Sequence, residues 1–262
     1  MTRTTIHSKA FTIVEVLVVI SIITLLLSML APGLSNSRAS ARMTICASNL
    51  RQLGIAIDNY STELWYYPIA IDDHADNNQR VWLWPTLTRL YTNGDQDVFT
   101  CPQAPGTTRW VYSETAGEPA YYGYKENETR IRGYSHKFSY GYNCWGAFIG
   151  QTPNTGMGGY KGIPHHWAKR ERVKNPSGMI AFTDSNVNDY WSGYIGPYRW
   201  PGQWPSRIHF GNPVVVFCDN SARMMDRADV TDVSRPEVNR RWNNHNNVVN
   251  QTPVYDGVPD FP

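Results

Sequence analysis

Charge is scarce in this sequence. Asp, Glu, Lys and Arg make up 18% of the 262 residues, and the formal net charge is +2. No basic block stands out, so a nucleic-acid partner is not expected. Local catalytic signatures are missing too. The glycine-rich span 150–162 lacks the Gly-x-x-x-x-Gly-Lys-Ser/Thr pattern of a phosphate loop, and there is no Gly-x-Ser-x-Gly elbow to present a nucleophile. None of the four cysteines forms a Cys-x-x-Cys pair, which leaves little support for a redox centre or zinc knuckle. What the chain does have is aromatics, with 16 Tyr and 10 Trp. A surface poor in charge and rich in aromatics and Asn points to an extracytoplasmic setting or a carbohydrate or protein neighbour. The same residues also fill ordinary cores.

One long apolar run is present. Residues 11–31 hold no Lys or Arg and a single acid, Glu15. Roughly 20 apolar residues are what a helix needs to cross the hydrocarbon core. Arg3 and Lys9 precede the run, which favours keeping that end on the cytoplasmic side. An uncleaved anchor and a secretory signal peptide both fit this much. "SMLAPG" offers Ala31 as a small residue before a cut but only Met29 as its partner, a poor cleavage site. Glu15 discriminates further. An ionised side chain close to the bilayer needs a partner, such as an amine or a neighbouring subunit. A cut just before Phe11 would place a new α-amino group about one helical turn away.

The stretch "KAFTIVEVLVVISIITLLLSMLAPGL" resembles the class III signal of type IV pilins and type II secretion pseudopilins. The resemblance implies cleavage by a prepilin peptidase between Ala10 and Phe11, N-methylation of Phe11, and an assembly role for Glu15. The usual residue before the cut is Gly, and this sequence has Ala10. Pro32 falls where such proteins commonly carry a helix-kinking proline.

Beyond Pro32-Gly33 the helical pattern resumes. Met43, Cys46, Leu50, Leu53 and Ile57 recur at spacings of three and four, with Ile45 and Tyr60 widening the stripe. Arg51 and Asp58 lie on the far side. The spacing predicts an amphipathic helix from about 35 to 60, packed by its apolar stripe on a sheet. Joined to the anchor it makes a helix of roughly 50 residues, about 75 Å long. A break is expected at Pro32-Gly33. The segment "ARMTICASNLRQLGIAIDNYSTELWYYP" also resembles large pilin-like proteins of planctomycete-type bacteria, through Arg42, Cys46, Asn49, Leu50, Gln52, Tyr60 and Pro68. The likeness returns in "FTCPQA", "YGYN", "NPSGMIAFTDS", "RIHFGNPVVVFCDNSARMM" and "RRWNNHN". Where such proteins have a His and paired glycines before a strand ending Asp-Gly-Ser, this chain has His209, a single Gly211, and Asp219-Asn220-Ser221. Asn220 can replace the turn glycine, because Asn tolerates the left-handed conformation. The family-like motifs around Cys46 and Cys101 imply a disulfide between them, with two buried thiols as the alternative. Cys144 and Cys218 pair with each other or stay reduced.

In the soluble part, "GMIAFTDS" and "PVVVFCDNSARMM" are the best strands, with a hairpin-like turn at Asp219-Asn220. "VWLWPTLTRLY" is a short helix or a strand interrupted by Pro85. The expected fold is α+β and pilin-like: a long transmembrane and amphipathic N-terminal helix packed on a mostly antiparallel sheet with long loops. Its divisions are a leader at 1–10, a membrane part at 11–31, an amphipathic part at 32–63, a β-rich domain at 64–251 and an irregular tail at 252–262.

Other chemistry is sparse. Asp72, Asp73 and Asp76, and separately Asp184 and Asp189, crowd oxygen ligands into loops of the kind calcium favours, without EF-hand spacing. The bland reading is a solvated turn. No other cofactor is implied. Asp184, His209 and Ser185 can be drawn as a triad, as residues in any globular chain can, and no enzyme activity is expected. Trp191, Tyr194, Tyr198, Trp200 and Trp204 either bind a glycan or protein or staple their own loop.

The leading expectation is therefore a pilin or pseudopilin subunit, held in the inner membrane with its domain outside. Its partners would be the prepilin peptidase and N-methyltransferase, the assembly platform and like subunits. The length of the chain points to a minor or tip subunit. The alternative is a membrane-tethered binding module for polysaccharide or an envelope protein that does not polymerise.

Overall fold

The computed structural model describes residues 12–72, 81–108, 138–144, 156–158, 160–161, 168–185, 193–196, 205–243 and 246. The chain divides into two units, Met1–Ala41 and Arg42–Pro262. Helix α1 covers Ile13–Leu64 and holds Pro32 in its interior. The break expected at Pro32-Gly33 is therefore absent. A proline forfeits one ladder bond, and a long helical run on either side can propagate through that local loss.

In the first unit, side chains such as Leu17, Ile23 and Leu27 are exposed. This part of α1 is long and apolar enough to cross a membrane. In the second unit α1 turns amphipathic. Cys46, Leu50, Leu53 and Ile57 are buried, as the three-and-four spacing predicts, and Met43 and Tyr60 pack at the margin. Ile45 does not widen the stripe, being 51% exposed. It stands one position before Cys46, a rotation of about 100° around the helix.

Among the described residues the main sheet has five strands. Their spatial order is β6 (Tyr194–Ile195), β3 (Tyr140–Asn143), β5 (Ile180–Asp184), β7 (Val214–Phe217) and β8 (Ala222–Met224). Four pair antiparallel, and β6 joins β3 in parallel at the edge. The two strands favoured by sequence lie side by side, with Thr183 opposite Val215. Asn220 turns β7 into β8 at φ 66°, the left-handed conformation expected of a glycine substitute. A smaller sheet orders β2 (Val81–Trp82), β1 (Ile71–Asp72) and β4 (Tyr160–Lys161). "VWLWPTLTRLY" resolves into β2 followed by helix α2 (Trp84–Arg89), with Pro85 in its first turn, where the missing N–H costs least.

Two apolar layers hold the sheet. On one face Val214, Val216, Phe182, Tyr140 and Tyr142 meet the buried stripe of α1 and Trp84. On the other, Val215, Phe217 and Ile180 meet Val230, Val238 and Trp242, carried by helices α3 (Ala228–Thr231) and α4 (Pro236–Arg240) and the residues after them. The alternation along β7 sends neighbours to opposite faces. A register shift between Ile180 and Phe182 explains why Ala181 and Phe182 both join the α1 layer. Trp242 is anchored by its ring N–H on the Val230 carbonyl at 2.7 Å.

Candidate functional site

Among the described residues, two places concentrate polar chemistry, one in each unit. The first is the start of α1. The Thr12 hydroxyl accepts the Glu15 backbone N–H at 3.3 Å, and the Glu15 carboxylate accepts the Thr12 backbone N–H at 2.9 Å. The Thr12 hydroxyl also donates to that carboxylate at 2.8 Å. This is a capping box, in which N-cap and N3 residues satisfy each other's orphan donors. Thr-x-x-Glu before an apolar run was visible in the sequence, and Thr12 is the partner that reading missed. The consequence is positional. The acid is folded back onto the amide that joins Thr12 to Phe11, the residue whose amine a cut would expose. Ala10 and Phe11 lie outside the described residues.

The second place is buried in the Arg42–Pro262 unit. Cys46 on α1, Cys101 in the turn after the 3-10 segment Asp97–Phe99, Asp184 at the end of β5 and His209 before β7 come together. Their ligand atoms all lie within 4.8 Å of one another. All four residues are buried, none more than 1% exposed. The Cys46 thiol donates to Asp184 Oδ1 at 3.0 Å, and the Tyr140 hydroxyl donates to Cys46 Sγ at 3.2 Å. His209 Nε2 lies 3.4 Å from Cys101 Sγ and 3.5 Å from Asp184 Oδ2. Asp184 Oδ2 also accepts the Val214 N–H at 2.8 Å.

The loop that aims His209 uses two consecutive left-handed residues, Phe210 at φ 51° and Gly211 at φ 84°. Phe210 thus occupies, at a steric cost, a conformation for which glycine is the default. Gln103 then orients the ring. Its amide nitrogen donates to the Ile208 carbonyl at 2.7 Å, so its oxygen faces His209 Nδ1 at 3.0 Å. Nδ1 must therefore carry hydrogen, and Nε2 is the atom turned to the cluster.

The electrostatics follow from this packing. Burial pushes the Cys46 thiol well up, reinforced by Cys101 and Asp184. The polar contact with Cys46 beside it pulls Cys101 down to about 6 against its own burial, with help from His209. Burial works against a charged His209, but hydrogen bonds to Asp184 and Cys101 raise it to about 9.

The disulfide implied for Cys46 and Cys101 is not formed. The structure brings both sulfurs into one cluster as free cysteines. Asp184 and His209 stand in the same cluster and share the hydrogen bonds of the sulfurs. The Cys218 thiol faces Met157 Sδ at 3.4 Å. At His209, Asp184 and Cys101 do not flank the ring as an acid and a nucleophile would. Both Asp184 and Cys101 approach the same nitrogen, Nε2, whereas a triad needs the acid and the nucleophile on opposite nitrogens.

Of the calcium candidates, Asp184 stands, among the described residues, beside two cysteine sulfurs, an imidazole and a backbone N–H. Asp73, Asp76 and Asp189 lie outside the described residues, as does the side chain of Asp72, whose backbone belongs to β1. Trp191, Tyr198, Trp200 and Trp204 also lie outside them, and Tyr194 contributes only its backbone, as β6.

Comparison with known proteins speaks to the first place. Residues 6–31 match the family model of the prokaryotic N-terminal methylation motif. No curated protein and no solved structure matches the chain significantly. The matched span includes Ala10, Phe11 and Glu15 and runs into the apolar half of α1, so the chain carries a prepilin-type signal joined to a membrane-anchoring helix.

Proposed function

We propose that the protein is a prepilin-type subunit, a pilin or pseudopilin, of a type IV pilus or type II secretion-like filament. The observation that carries this reading is the methylation motif over 6–31, coupled to a Glu15 carboxylate already folded onto the Thr12 amide. A prepilin peptidase cuts between Ala10 and Phe11 on the cytoplasmic side, and the new amine is methylated. Arg3 and Lys9 keep the leader inside, so the Arg42–Pro262 unit faces the periplasm or exterior. The exposed apolar side chains of α1 then pass from lipid to the matching helices of like subunits on an assembly platform. In that setting Glu15 meets a methylated amine, of its own chain or a neighbour, and each charge compensates the other away from water. The role is structural, and the second unit is the cargo or cap that the helix carries. Its size suits a minor subunit, since bulky loops crowd a dense filament.

Glu15→Ala tests the assembly step. The variant is expected to stay in the membrane fraction but to fall at least about tenfold in sheared or secreted filaments, in line with the several kcal/mol lost when one partner of a buried pair is removed. Undiminished incorporation of the variant would overturn the reading.

A further inference from the structure

The buried cluster in the Arg42–Pro262 unit is independent of the filament reading, and it has the composition of a metal centre. We propose that Cys46, Cys101, Asp184 and His209 form a closed, four-ligand structural site for a borderline-soft divalent cation, zinc by preference. Zinc takes thiolate, imidazole and carboxylate ligands, and structural sites use four protein ligands in a tetrahedron. Bond lengths of about 2.0–2.3 Å place ligand atoms about 3.3–3.8 Å apart. The cluster already spans that scale, with Cys101 Sγ 3.4 Å and Asp184 Oδ2 3.5 Å from His209 Nε2. Two sulfurs select against calcium and magnesium, which prefer oxygen.

The surroundings are those of a prepared ligand set. Metal-bound histidines donate their other ring N–H to a fixed acceptor, and Gln103 Oε1 is that acceptor, itself oriented by the Ile208 carbonyl. The Val214 N–H fixes the Asp184 carboxylate through Oδ2, and the Tyr140 hydroxyl points at Cys46 Sγ. A disulfide explains less. It would use only the sulfurs and would not account for a carboxylate and an imidazole buried beside them. The four ligands come from α1, the turn after Asp97–Phe99, β5 and the loop before β7. A cation here would cross-link the amphipathic part of α1 to the sheet, and both sulfurs would bind as thiolates with release of their protons.

The test uses the full chain, extracted from membranes in detergent without chelator. Zinc is quantified, and the metal-stripped, reduced protein is titrated with Co2+ and then Zn2+. The expected result is one equivalent per chain, with a tetrahedral cobalt spectrum, a thiolate-to-cobalt charge-transfer band in the near ultraviolet, and displacement by zinc. Gln103→Leu, which spares all four ligands, is expected to weaken zinc binding by about 10–100-fold. Cys101→Ser should abolish the charge-transfer band or halve it, while Cys218→Ser leaves it intact. Since Cys101→Ser can also cost folding, the wild-type spectrum decides. A folded wild-type protein that gives no thiolate–cobalt band overturns the proposal. So does a Cys46–Cys101 disulfide in the protein as extracted, read by non-reducing peptide mapping.

Discussion

Gly211 sits at φ 84°, and among the described residues no atom beyond its chain neighbours lies within 4 Å of where a Cβ would project. The expected cost of adding that Cβ is therefore a backbone cost. Left-handed conformations disfavour a Cβ by about 1–2 kcal/mol. Gly211→Ala is accordingly predicted to lower stability by about 1 kcal/mol, read as a lower urea midpoint at unchanged slope. The neighbouring Phe210, at φ 51°, already carries such a strain, and the two together turn His209 into the core. At this scale the sequence was partly legible. Glu15 stood out because an acid is rare in an apolar run. Asn220 stood out because Asn is a recognised substitute for glycine in a left-handed turn. The cluster partners of Cys46 did not, since Cys101, Asp184 and His209 are far apart along the chain and no local spacing announces them. The sequence pointed instead to a Cys46–Cys101 disulfide or two buried thiols, and the structure holds both as free cysteines within one cluster.

Among the elements, the contact of α1 with β7 sets the fold of the second unit. Gly54 lies on the buried side of α1, and a Cβ there would come 2.9 Å from both Val216 Cγ1 and Asn220 Oδ1. Glycine is present because helix and strand approach too closely for a side chain. Alanine would gain about 1 kcal/mol of helix propensity, against about 1–3 kcal/mol for overpacking. Valine adds two methyl groups with less propensity gain. Gly54→Val is thus predicted to destabilise more than Gly54→Ala, the order checked by thermal or urea unfolding of the two variants. Equal stability of both with wild type would mean that the helix and β7 are not in this contact. The α1 stripe and strands β5 and β7 were readable because apolar periodicity is strong there. Helices α3 and α4 were not, because four- and five-residue helices have too few turns to show a period. Their burial of the second sheet face rests on isolated residues, Val230, Val238 and Trp242. Pro32 misled in the opposite direction, because the rule that proline breaks helices describes a cost, which a long apolar helix can absorb.

For the whole molecule, the chain joins an exposed apolar helix segment to a unit with its own two-layered core. The first calls for lipid or like helices, and the second needs neither. The prepilin-type signal fits that combination, since the processing we propose would remove the basic leader and leave an apolar terminus with Glu15 near it. The measurement that tests this most directly is the mass of the N-terminal peptide of the protein recovered from membranes. The account predicts a peptide beginning at N-methylated Phe11. A terminus at Met1 or Thr2 would contradict processing at Ala10–Phe11, and one near Pro32 would contradict the anchor itself.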